Sequence, residues 1–410
     1  MPGPKRIVII GGGLAGYSLA EALRKRGHHG AIVIVEQEPA MYDRPPLSKA
    51  AAFGGDAALE NLAFAGREKQ EALALDVIVG RAAMAIAPVT GDVTLDDGTV
   101  VVGDALVLAT GGRARRLAFP GSDLPAVHVL RTFADAEAIR EAAVPGARIL
   151  VVGAGLIGAE LTSSLRALGV DVTLIDPMET PLAPVVGQQL AERLHAMHTS
   201  YGVDVRVATL SSLCPSGAGW LAELSDGTGL DVDAVVVGAG ILPNSELAAA
   251  VGLDVDDGII VDEQHRTAHP RVYAIGDVAR TRGEGGVLQR REEHWEAAQL
   301  DAQELAAVLL DQEPDLRGAP WWWSDRYHVH VEGVGRMTGD GTTVFRGENV
   351  AFHLNGDLVV GAVSVNDANA VRAARRLIDH RIAVVAAELG DPAVPLRDLL
   401  RSPRPAVARA

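Results

Sequence analysis

The sequence predicts an α/β protein with two copies of one strand–turn–helix–strand unit and a smaller α+β domain behind them. Three observations predict it. The turn Gly11-x-Gly13-x-x-Gly16 recurs as Gly153-x-Gly155-x-x-Gly158. The repeat extends past the glycines, because IVIIGGGLAGYSLAEALRKRG aligns with ILVVGAGLIGAELTSSLRALG, and each copy runs on into an apolar strand that ends in an acid, Glu36 or Asp176. From about Trp321 the pattern changes to closely spaced short strands and then helical stretches.

In each copy a β-branched apolar run stops at the first glycine. The glycines then let the backbone turn and approach a ligand, and an Ala/Leu-rich helix aims its N-terminal amides into the turn. That arrangement cradles a pyrophosphate, so each copy reads as a Rossmann-like dinucleotide-binding domain. Gly11, Gly13, Leu14, Ala15 and Gly16 form one cradle; Gly153, Gly155, Leu156, Ile157 and Gly158 form the other. Glu36 and Asp176 stand where a carboxylate accepts hydrogen bonds from both ribose hydroxyls of an adenosine and repels a 2′-phosphate. The stretch DPMETPLAP from Asp176 holds no Arg or Lys to neutralise such a phosphate. NADH is favoured over NADPH.

Along the chain, the first unit closes with the strand ALVLAT and the turn at Gly111-Gly112, which places a boundary at residue 110. The second unit holds the second glycine turn and the helix QQLAERLHAMHTSYG, and ends with AVVVGAG near Gly240. Strand character then resumes in GIIVDEQHRTAHPRVYAIGD, and Gly276-Asp277 is expected at the head of a new helix. The segment 321–410 reads as a small α+β domain.

Composition limits the function classes. In 410 residues, 48% hydrophobic and 22% charged content is ordinary for a globular protein able to bury large cores. A formal net charge of −16 argues against a nucleic-acid partner. The N-terminal MPGPKR leads straight into the first strand and no run of 18 apolar residues occurs, so a cytoplasmic protein without a membrane span is expected.

The motifs RPPLSK (Arg44 to Lys49), ATGG (Ala109 to Gly112), GAGLIGAE (Gly153 to Glu160), GAGILPN (Gly238 to Asn244), AIGD (Ala274 to Asp277), REEHW (Arg291 to Trp295) and PWWWSD (Pro320 to Asp325) occur in this order. Together they resemble the FAD-dependent NADH:ferredoxin reductases of bacterial oxygenase systems, and the resemblance covers nearly the whole chain. RPPLSK and PWWWSD are its more discriminating motifs. It implies a glutathione-reductase-like fold in which a discontinuous FAD-binding domain (1–110 and 241–320) carries an inserted NAD-binding domain (111–240), with the C-terminal domain (321–410) covering the flavin. It also implies bound FAD, NADH as donor, a 2Fe-2S ferredoxin as acceptor and, through it, a haem monooxygenase or Rieske dioxygenase.

By matching position, the resemblance assigns Glu36, Arg44, Lys49, Ala109, Thr110, Gly111, Gly276, Asp277, Glu293, His294 and Trp295 to FAD with the first cradle, and Glu160, Asp176 and Gly240 to NAD with the second. Lys49 beside the flavin stabilises negative charge on its reduced form and pairs with Glu160, which can also hold the nicotinamide carboxamide. The competing reading of Glu160 is a solvated acid on the first turn of its helix. Arg44 is expected on the pyrophosphate, with a surface pair to Asp43 as the alternative, and the helix after Asp277 is expected to lend its N-terminal dipole. Ala297 departs from the family, where an asparagine is common. Lys49, Glu160 and Trp323 are the residues expected to act in catalysis, Trp323 on the electron path with Trp321 behind it. The tryptophan cluster as a whole is expected to pack the C-terminal domain onto the flavin domain. Arg290, Arg291, Arg372, Arg375 and Arg376 are candidate docking charges for an acidic ferredoxin.

Cys214 is the only cysteine, so the paired-cysteine route of disulfide reductases is closed. It is read as a small apolar residue at a strand end or turn. Two other classes share both glycine turns. An NADH oxidase of the single-cysteine type places its cysteine near Leu47 or Ser48, where this chain has none. A protein like apoptosis-inducing factor carries a targeting segment and a strongly basic surface.

Overall fold

The computed structural model describes residues 3–49, 53 and 58–401. The chain divides into two compact units. The first comprises Met1–Pro46, Asp56–Arg113 and Ile241–Arg317, and the second Leu47–Gly55, Ala114–Gly240 and Gly318–Ala410.

The first unit is built on five parallel strands in the order Val272–Ala274, Ala105–Leu108, Arg6–Ile10, Ala31–Glu36 and Leu75–Val79. A parallel sheet is covered on both faces, which is why Ile7 to Ile10 read as an unbroken apolar run and are all buried. Ile7 and Ile9 face the first glycine-turn helix, Leu14–Lys25, and the long helix Trp295–Leu309. Val8 and Ile10 face Ile86, Val93 and Leu95 of a three-stranded antiparallel sheet, Ala83–Ala87, Asp92–Leu95 and Val100–Val102.

The second unit repeats the plan with parallel strands in the order Asp204–Val207, Asp171–Asp176, Arg148–Val152, Ala234–Val237 and Val127–Val129. The two copies share their register. Glu36 lies opposite the last residue of its outer strand, Val79, and Asp176 opposite Val207. The same unit holds a five-stranded antiparallel sheet, in the order Trp321–Arg326, Val329–Gly335, Leu358–Val365, Val350–Asn355 and Thr342–Arg346. One face of it is covered by the helix Ala368–Asp379, through Ala370, Ala374 and Leu377. Trp322, Val331, Ala351 and Val363 on the other face meet Leu182, which caps the helix Ala183–Val186, Val186 within it, and Leu190 and Leu194 of the helix Gln188–Ser200.

Three expectations are corrected here. No long helix starts at Asp277: Gly276–Val278 is a single 3-10 turn running into the strand Ala279–Thr281, and the long helix begins only at Trp295. Cys214 is exposed in mid-strand, within Leu210–Ser216, because its alternation points it outward. Trp322 packs within the second unit, against the helices that follow Asp176, since successive side chains of a strand point to opposite faces. Among the described residues, no helix is long and apolar enough to cross a membrane.

Candidate functional site

The six glycines of the two turns fall into three kinds. Gly11 and Gly153 have φ of +107° and +102°, a region open to glycine, and a Cβ there would sit 2.2 Å from Ala109 O or 2.5 Å from Gly238 O. Gly16 and Gly158 let the helix meet the turn, because a Cβ would lie 2.0 Å from Gly11 O or 1.9 Å from Gly153 O. Gly13 and Gly155 have ordinary extended backbone, and a Cβ on either would meet nothing within 4 Å. These two caps supply no side-chain hydrogen bond to their helices. The first-turn amides therefore face open space in front of Gly13 and Gly155, which fits an anionic pyrophosphate.

The two acids are tied back onto the turns in the same way. Glu36 accepts from Gly12 N at 2.6 Å and Glu38 N at 2.8 Å; Asp176 accepts from Ala154 N and Met178 N, both at 2.9 Å. Burial pushes the Glu36 carboxyl upward against the two amides that hold its charge. Neighbouring loops are locked crosswise. Thr110 Oγ1 donates to Asn244 O at 2.7 Å, Asn244 Nδ2 to Thr110 O at 2.9 Å and Asn244 N to Gly111 O at 2.9 Å, while Ala109 N bonds Ile10 O. Gly240, at φ +85°, accepts from Arg115 N.

Arg44 pairs with Glu38 at 2.7 Å and lies over the Tyr42 ring, whose hydroxyl bonds the same Glu38. Trp295 opens its helix and donates Nε1 to Asp43 at 2.9 Å; His294 is the cap before it, and burial lowers its pKa, keeping the ring neutral. Gly276, at φ +71°, donates its amide to Asp301 at 2.9 Å, and Asp277 O accepts from Arg291. Arg291 is engaged by Asp257 and Glu293 with a side chain only 5% exposed, so it is no docking charge; Arg290, Arg372 and Arg376 are exposed. Burial raises the Glu293 pKa, opposed by Arg291.

The second unit brings Lys49, Glu160 and Trp323 together. Pro45–Ser48 forms a 3-10 turn that delivers Lys49, whose Nζ lies 3.0 Å from Glu160 Oε2 and 5.8 Å from the centre of the Trp323 ring. Glu160 is the fifth residue of the helix Leu156–Ala167, one turn further in than expected, and is 5% exposed. The solvated reading of this acid is therefore wrong. Its oxygens are filled by Lys49, by the Ser48 hydroxyl and by Asp325 N at 3.1 Å. Ser164 Oγ in turn donates to Ser48 O at 2.9 Å, and Tyr327 N to Ser163 Oγ at 2.7 Å, so the helix, the 3-10 turn and the tryptophan strand fix one another. Ser48 and Asp325 lie inside motifs singled out from the sequence; Ser163, Ser164 and Arg326 carried no signal there.

The three consecutive tryptophans do different jobs. Trp321 and Trp323 share a face and stack at 5.0 Å with 19° between planes, and Trp321 Nε1 donates to Glu332. Trp322 is 6% exposed in the core.

The pyridine nucleotide-disulphide oxidoreductase model matches residues 5–302, and the reductase C-terminal model matches 321–400. The chain belongs to the pyridine nucleotide-disulphide oxidoreductase family. Among members of this family it is 38% identical to the ferredoxin–NAD(+) reductase component of the anthranilate 1,2-dioxygenase system of Burkholderia cepacia, over 96% of this chain and 98% of that one. It is 35% identical to rhodocoxin reductase of Rhodococcus erythropolis, over 94% and 92%. Its fold superimposes with a TM-score of 0.91 on the reductase of a covalent putidaredoxin reductase–putidaredoxin complex, at 32% identity, over 97% and 98% of the two chains. As a pyridine nucleotide-disulphide oxidoreductase it lacks the disulfide pair of the family's name, having Cys214 alone.

Proposed function

We propose that the chain is an FAD-containing NADH:ferredoxin reductase that feeds an oxygenase through a 2Fe-2S ferredoxin. The observation that carries this reading is the full-length likeness to ferredoxin–NAD(+) reductases, joined to a part-buried Lys49–Glu160 pair beside stacked tryptophans in a chain without a cysteine pair. Bound FAD supplies the step between a two-electron donor and one-electron acceptors. The balance is NADH plus two oxidised ferredoxins giving NAD+, two reduced ferredoxins and one proton.

In this reading residues 1–110 and 241–320 bind FAD, 111–240 bind NADH, and 321–410 form the C-terminal domain. The Leu14, Ala15 and Gly16 amides and Glu36 hold the FAD adenosine diphosphate half, and Arg44, Asp277 and the Trp295 helix start complete its site. Leu156, Ile157, Gly158 and Asp176 hold NADH. Glu160 orients the carboxamide while Lys49 presents a fixed positive charge, and Trp323 lies on the path of single electrons outward. The cytoplasm, where NADH is abundant, is its proposed compartment.

Anaerobic stopped-flow mixing of the FAD-loaded protein with NADH, then with oxidised 2Fe-2S ferredoxins, tests the reading. Fast bleaching by NADH but not NADPH, followed by reoxidation by one ferredoxin, is expected. Slow bleaching, with no ferredoxin able to reoxidise the protein, would refute it.

A further inference from the structure

We propose, resting on the reductase reading, that Asp301 is a positioning residue for FAD: its carboxylate, anchored by Arg317, pins the backbone amide of Gly276 and so fixes Asp277 where the cofactor meets it.

All the residues concerned belong to the first unit. The strand Val272–Ala274 ends with Ile275 N bonded to Leu108 O at 3.2 Å, and the chain then turns sharply. Gly276, at φ +71°, leaves the sheet and donates its amide to Asp301 Oδ2 at 2.9 Å. A Cβ on Gly276 would stand 2.8 Å from the Ala15 Cβ and 3.8 Å from the Ala298 Cβ, so this turn is wedged between the first glycine-turn helix and the helix Trp295–Leu309. Ala15 belongs to the first cradle. Asp277 therefore follows directly on the residue that abuts that cradle. Its carbonyl accepts from Arg291 Nη1 at 2.8 Å, and Ala279 N closes the 3-10 turn on Gly276 O.

Asp301 is itself held by its other oxygen. Arg317 Nη1 lies 2.8 Å from Asp301 Oδ1 and 3.0 Å from Glu304 Oε2, while Nη2 reaches Glu292 Oε2 at 2.8 Å. Burial works against the Arg317 charge, but Asp301, Glu304 and Glu292 outweigh it and lift its pKa above the ordinary arginine value. His265 Nε2 lies 3.1 Å from Glu304 Oε2, so His265, Asp301 and Glu304 make a set of metal-ligand type, but the Arg317 guanidinium already supplies their cation. For stability alone the Gly276 amide needs only an acceptor, and a partly exposed ion pair contributes little. What the clamp adds is a fixed position. With one oxygen on Gly276 and the other on Arg317, the carboxylate cannot rotate without breaking a bond, so neither the amide nor the Asp277 that follows it can drift. A hydrogen bond to a charged group contributes about ten-fold or more to an equilibrium, and a shifted Asp277 forfeits it.

The test follows FAD release from the FAD-loaded full chain by flavin fluorescence after dilution, for the parent, D301A, D277A and D301A/D277A. D301A and D277A are each expected to speed release about ten-fold or more, and the double variant no more than D277A alone, because both act on one contact. A purely structural Asp301 would give effects that multiply. D301N leaves one oxygen for two donors and is expected to release FAD faster than the parent. D301N/R317Q lets the glutamine accept from the asparagine amide while the asparagine oxygen keeps Gly276 N, and is expected to return release toward the parent rate. That pair covers a failure of D301A to fold. Parent-like release from D301A or D277A overturns the proposal, as do multiplying effects in the double variant or a D301N/R317Q no slower than D301N. A parent that binds no FAD would instead refute the reductase reading, whereas an FAD-loaded parent with unchanged variants refutes only the role of Asp301.

Discussion

Replacing Gly155 by alanine separates the ligand-facing part of the second turn from its scaffold. Gly155 sits at φ −65° and ψ −170°, which any residue adopts, and an added Cβ meets no protein atom within 4 Å. Alanine is a poorer helix cap, so the fold should lose at most about 1 kcal/mol. The methyl group, however, fills the open space through which, in the proposed reading, a pyrophosphate reaches the Leu156, Ile157 and Gly158 amides. Losing one such contact costs about 1.4 kcal/mol or more, a ten-fold or greater rise in the KM for NADH. G13A, at the equivalent place in the first turn, should weaken FAD retention and leave the NADH KM of the loaded fraction alone. G158A is the contrasting control: its Cβ would stand 1.9 Å from Gly153 O, where ordinary contact begins at 3.4 Å. Relieving that overlap means lifting the helix off the turn, at a cost of about 1–3 kcal/mol or more. The assays are flavin absorbance per protein, thermal unfolding, and steady-state NADH kinetics with an artificial one-electron acceptor. A folded, FAD-replete G155A with the parent KM would refute the assignment of NADH to the second turn.

E160Q removes the negative partner of Lys49, and NADH-driven flavin reduction in stopped-flow is expected to slow at least ten-fold with FAD content retained; an unchanged rate would make Glu160 purely structural. W322A should cost about 3–5 kcal/mol of stability because the residue lies in the core, while W323A should cost far less and instead slow ferredoxin reduction; denaturant unfolding and stopped-flow reoxidation distinguish the two. Burial holds the His198 pKa down at about 3, below its ordinary value of 6.5, with Nδ1 bonded to the Tyr327 hydroxyl at 2.7 Å. The unfolded chain thus takes up a proton that the folded chain refuses between these values, so stability is full above pH 6.5 and declines by up to ~1.4 kcal/mol per unit as pH falls toward 3. H198Q should flatten that limb of a Tm-versus-pH curve, and parallel curves would contradict the argument.

The duplicated turns were legible because their geometry is local. A glycine at positive φ, a second against a carbonyl, a third facing open space and an acid at the end of the next strand all lie within about 25 residues of sequence in each copy, and the amides proposed to bind phosphate belong to the same turn. The absence of a cysteine pair, the acids at the strand ends from which a preference for NADH is expected, and the change of pattern at Trp321 are likewise properties of sequence alone. The helix wrongly expected at Asp277 shows the limit of this reasoning, since a glycine–acid pair heads a 3-10 turn as readily as a helix, and only the strand that follows decides. Burial of Glu160 and of Arg326, and the division of labour among Trp321, Trp322 and Trp323, were decided by tertiary structure. Ser48, Glu160 and Asp325 are separated by 112 and 165 residues along the chain. Whether a carboxylate in a helix faces water or a lysine depends on which strand is laid against that helix, and local pattern holds no record of it.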